Sequence, residues 1–155
     1  MAVMLADLLD ERHVSLHLRA RTREDALREI IATMEGDTRV REPEKFFAEV
    51  LAREMMQTTF MGNGVAFPHV RTDLVMEILL GIGRSPGGVP FGRNGEAAHL
   101  IFVIGVPRRM ITDYLVCIGA LARLTKEAKT RATLMAATTP ADVVELLRAG
   151  SLLLE

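Results

Sequence analysis

Four histidines are the side chains of this chain whose unperturbed pKa lies near neutrality, and one of them has neighbours that suggest chemistry. His69 follows Gly62-Asn63-Gly64-Val65-Ala66-Phe67-Pro68, so a glycine-rich bend and a strand-ending proline deliver an imidazole to the place where the apolar pattern stops. A fixed, partly exposed ring is expected there. An unprotonated ring nitrogen attacks phosphorus when an acceptor holds the N–H of the other nitrogen. The attack needs no metal; it needs positive charge and hydrogen-bond donors around the equatorial oxygens. Arg53 or Arg71 can supply a bidentate guanidinium, Gly62 and Gly64 backbone N–H groups, and Thr58 and Thr59 hydroxyls. Spacing alone leaves a second reading open, a histidine that merely ends a strand and bonds a carbonyl.

Other reactive types have less support. His13 and His17 are four residues apart, but Val14-Ser15-Leu16-His17-Leu18 alternates as a strand does, which makes them solvated histidines rather than ligands of one metal. Neither a metal nor a cofactor is expected. Met55, Met56 and Met61 read first as core filling and second as a docking surface, and Cys117 as a small buried hydrophobe.

The elements that hold His69 follow from the apolar spacing. Val14 to Leu18 predicts a strand; Thr22 then caps a helix carrying Ala26, Leu27, Ile30, Ile31 and Met34 and ending near Gly36. Pro43 opens a second helix with Phe46, Phe47, Val50 and Leu51 on one face, its exposed end running into Arg53-Glu54. Short strands are expected at Val65 to Phe67 and longer ones at Val75 to Gly83 and His99 to Val106, with turns at Ser85 to Gly88 and Gly92 to Gly95. Helical spacing from Leu115 onward, and a last helix capped by Thr139 and ended by Gly150, close the chain. Strands interleaved with helices predict an α/β (α+β) fold, a mixed β-sheet flanked by helices on both sides.

At 155 residues the chain predicts one domain spanning 1–155. Nineteen Lys and Arg against twenty Asp and Glu give a net charge of −1, too little basic excess for a nucleic-acid partner. A hydrophobic share of 49% with 25% charged residues excludes intrinsic disorder, and the single cysteine excludes a disulfide framework. Met1 to Leu9 is short and acidic for a signal peptide, and Leu100 to Pro107 is far below bilayer length. A cytoplasmic protein without direct membrane insertion is the expectation.

Arg53-Glu54, then Thr58-Thr59, then Gly62 to Arg71 resembles the signature of the phosphotransferase system EIIA domains of the fructose, mannitol and nitrogen-regulatory type. The order and length of the remaining elements agree along nearly the whole chain. The resemblance implies that His69 receives a phosphoryl group from HPr or a nitrogen-branch relative. It then passes the group to an EIIB cysteine or signals by its phosphorylation state to a regulatory target. It further implies that Arg53 stabilises the phosphorylated imidazole, with Thr58, Thr59, Gly62, Gly64 and Arg71 in support. Many members carry a second histidine where this chain has Tyr114 in Thr112-Asp113-Tyr114-Leu115. A phenol donates one hydrogen bond and stays uncharged near pH 7, which keeps a non-transferring regulatory module as the alternative.

Overall fold

Alternation along two long strands divides the apolar side chains between two cores. Leu80, Ile82, Leu100, Phe102 and Ile104 face one, while Leu79, Ile101 and Val103 face the other. In the computed structural model, which describes residues 3–154, these strands are β4 (Leu79–Pro90) and β5 (Ala97–Val106), paired antiparallel. β1 (Val14–Ser15) lies parallel to β4, and β2 (Val65–Ala66) and β3 (His69–Arg71) lie parallel to β5. The sheet is therefore mixed and has five strands, in the order β1-β4-β5-β2 with β3 also on β5.

Helices cover both faces. The short α1 (Leu5–Leu8), α4 (Ile111–Lys126), α5 (Ala128–Ala136) and α6 (Pro140–Leu154) bring Leu5, Leu121, Leu134 and Leu147 to the first core. α2 (Arg23–Ala32) and α3 (Pro43–Met56) bring Ile30, Phe46 and Val50 to the second. The second layer sits unusually close because the sheet offers glycines beneath it: a Cβ on Gly105 would stand 2.8 Å from the Phe46 ring. Phe46 is fully buried, a burial that contributes about 2–3 kcal/mol, and it fixes α3 over the β5 end that carries His69 on its neighbour.

Several local expectations hold for visible reasons. Thr22 accepts from the backbone N–H of Asp25 at 3.2 Å, and Thr139 from that of Asp142 at 3.1 Å, so both helix starts are capped. Others differ. The first strand keeps two residues, and Leu16 and Leu18 stay buried in irregular backbone. Ser85 to Gly88 is no turn between strands; it is an irregular stretch inside β4, where pairing slips between Arg84 and Val89. The last helix runs through Gly150. His13 is not solvated: it is 4% exposed at the end of a 3₁₀ turn (Glu11–His13), with Nε2 3.4 Å from the Asp37 carboxylate. His17, by contrast, is exposed.

Candidate functional site

His69 opens β3, directly after the buried Phe67 and Pro68. Phe67 is locked by its stack on Phe102, ring centroids 5.4 Å apart, and Pro68 accepts from the backbone N–H of Ile104 at 2.9 Å. The imidazole is half-buried, and its Nδ1 lies 2.9 Å from the carbonyl oxygen of Phe67. A carbonyl only accepts, so Nδ1 carries the proton and Nε2 keeps its lone pair.

One helix end packs on this ring, and the charge at a second acts on the residue that packs there. Tyr114, in the first turn of α4, packs on it with centroids 5.3 Å apart and planes tilted by 32°. Arg53, in the last turn of α3, donates from Nη1 to the Gln57 carbonyl at 3.1 Å and is half-buried. Burial raises the Tyr114 phenol pKa, an effect partly offset by the nearby positive charge of Arg53. Imidazole, phenol and guanidinium thus belong to one neighbourhood built from β3, α4 and α3.

Thr58 and Thr59 reach it through a residue that the sequence reading placed at an exposed helix end. Glu54 is 1% exposed. Its carboxylate accepts from the Thr58 hydroxyl at 2.8 Å, the Thr59 hydroxyl at 2.8 Å and the Thr59 backbone N–H at 2.9 Å. Both threonine hydroxyls therefore have an acceptor inside the protein, and the loop they hold passes its Thr59 carbonyl to the backbone N–H of Phe67 at 3.4 Å. The signal was present: Phe47, Val50 and Glu54 fall on one helical face, and two threonines follow the carboxylate at four and five residues.

The glycines are placed elsewhere. β2 pairs with β5 at Val65 opposite Leu100, whereas β3 pairs at His69 opposite Ile104. Four strand residues at about 3.3 Å each set the Gly62-Asn63-Gly64 bend roughly 13 Å back along β5 from the imidazole register. All three residues adopt positive φ, at 84°, 54° and 75°, and a Cβ on Gly64 would meet the His99 ring at 3.0 Å. The bend reverses the chain and seats it against His99; it does not line the imidazole. Arg71 shares the His69 side of β3 by the two-residue period and is exposed.

The rim is apolar. Leu115 and Val116 are 59% and 51% exposed beside Tyr114, and Met55 and Met56 are 61% and 84% exposed just beyond Arg53. Met61 is exposed too, so these methionines fill no core. They follow the last buried position of α3, Glu54, and face outward.

Comparison with known proteins gives a consistent picture. Residues 7–150 match the family described as phosphoenolpyruvate-dependent sugar phosphotransferase system, EIIA 2. The fructose-specific EIIABC component of Bacillus subtilis is 23% identical over 144 residues, covering 92% of this chain and 23% of that protein. The chain thus spans about a quarter of that relative's length. The nitrogen regulatory protein IIA-Ntr from Neisseria meningitidis shares the fold, with a TM-score of 0.80 at 24% identity over 92% of this chain and 98% of that one. In the complex of enzyme IIA mannitol with phosphorylated enzyme IIB mannitol from Escherichia coli, the similar chain has a TM-score of 0.78 at 25% identity, covering 91% of this chain and 97% of that one.

Proposed function

This chain belongs to the phosphotransferase system EIIA 2 family, and from that premise we propose that it is a phosphocarrier that accepts a phosphoryl group on Nε2 of His69. The observation that carries the reading is the 2.9 Å contact between Nδ1 and the Phe67 carbonyl, which leaves the Nε2 lone pair available. The donor is the phosphohistidine of HPr or of a nitrogen-branch relative. Nε2 bonds to phosphorus as the donor's P–N bond breaks, and that electron pair returns to the donor ring. The His69 ring gains positive character, which the Phe67 carbonyl stabilises through the retained Nδ1 proton. Arg53 supplies the cation beside the transferring group, and Glu54 holds the Thr58-Thr59 loop that frames it.

The second step sends the phosphoryl group to a cysteine thiolate on an EIIB domain, with the P–N bond breaking as the P–S bond forms. The mannitol IIA–IIB complex supports this partner, and the exposed Leu115, Val116, Met55 and Met56 supply the apolar contact that a protein interface uses. No cofactor enters the reaction. Regulation through the phosphorylation state is the second reading, favoured by Tyr114 beside the imidazole. The purified chain incubated with phosphoenolpyruvate, enzyme I and HPr tests the first step by one acid-labile adduct, and an EIIB domain added afterwards separates onward transfer from a signal that stays on His69.

A further inference from the structure

Tyr114 does more than wall the imidazole. Its ring lies 5.3 Å from that of His69, and its residue is 6% exposed, so the phenol is held against the ring by the packing of α4. Its hydroxyl donates to no protein group among the described residues, yet no buried side-chain oxygen or nitrogen among them lacks a hydrogen bond. Both statements hold together only if the phenol oxygen touches solvent. A phenol donor that touches solvent therefore sits on the ring that carries the nucleophilic nitrogen, within the field of Arg53.

Resting on the phosphocarrier reading, we propose that Tyr114 is a catalytic residue of this site, its phenol O–H donating to an equatorial oxygen of the phosphoryl group as it moves onto Nε2 of His69. The proton stays on the phenol throughout; only the hydrogen bond forms as the P–N bond is made. Burial keeps the phenol protonated across the physiological range, so this donor does not switch off as pH rises past neutrality. A cation and a neutral donor then complete the site beside the imidazole.

Tyr114→Phe removes the hydroxyl and keeps the ring. With phosphorylated HPr as donor, labelling of His69 should slow about 10- to 100-fold, the range for a hydrogen bond to a charged group, while the thermal midpoint stays within a few degrees. Tyr114→His should restore most of the rate, because an imidazole also carries an N–H donor. Should Tyr114→Phe fail to fold, the parent reports instead: Tyr114 is the sole tyrosine and tryptophan is absent, so its absorbance titration reads one phenol. That midpoint should rise once His69 carries phosphate. Labelling of Tyr114→Phe within twofold of the parent, or an unmoved phenol midpoint, overturns the inference and leaves the phosphocarrier reading standing. A parent that takes no label on His69 overturns both.

Discussion

At the scale of the residue, the site depends on charge placed where it develops. Among the described residues Arg53 donates to the exposed backbone carbonyl of Gln57, a bond worth about 0.5–1 kcal/mol, and its charge acts on Tyr114, whose ring packs on that of His69. Arg53→Ala should therefore slow phosphoryl transfer on the order of 100-fold and shift the urea midpoint little. Equal losses of rate and stability would make Arg53 a structural residue. His69 stood out in the sequence by type and by the bend before it, Arg53 with Arg71 as its alternative, and Tyr114 through the family resemblance alone. The sequence hid Glu54, because a carboxylate at a helix end normally faces water, and only the following threonines let this one be buried. His13 was hidden for a similar reason: the carboxylate near it, Asp37, comes from the turn after α2, twenty-four residues away by number.

At the scale of the element, the helix spacing and caps were legible, while strand ends were not, because distant partners decide them. Arg84 shows how. It directly precedes Ser85-Pro86-Gly87-Gly88, a stretch expected to turn, yet it is 6% exposed within β4. Its Nη1 donates to the carbonyls of Leu134 at 2.9 Å, Met135 at 3.2 Å and Ala137 at 2.6 Å, and its Nε to that of Leu16 at 3.2 Å. A buried cation thus caps the C-terminal end of α5, where the helix dipole is negative, and ties it to the segment after β1. Arg84→Met leaves those carbonyls without their donor and should cost about 2–4 kcal/mol by chemical denaturation, with α5 the first element to lose amide protection in hydrogen exchange. An unchanged midpoint would show that water replaces the guanidinium.

At the scale of the whole molecule, acid should weaken the fold in two stages. Burial lowers the His13 pKa from 6.5, against the opposing pull of Asp10 and Asp37. The folded state then binds fewer protons than the unfolded chain, so this stability is present above about 6.5 and is lost as pH falls through the folded value. Asp10, held down to about 2 first by its hydrogen bond from Arg12, and Asp37, held low first by Arg39, add a second loss below about 4. Urea midpoints across pH 7.5, 5.5 and 3.5 should fall at each step, and His13→Gln should remove the first fall; a flat profile above pH 4 would contradict the buried neutral imidazole. The same sheet that buries His13 presents His69 at an accessible end with one free ring nitrogen, and that contrast is the central claim. Its most direct measurement is radiolabelled phosphoenolpyruvate with enzyme I and HPr: one acid-labile phosphohistidine should form on the parent chain and vanish in His69→Ala. Label that persists in His69→Ala, or none on a folded parent, would contradict the account.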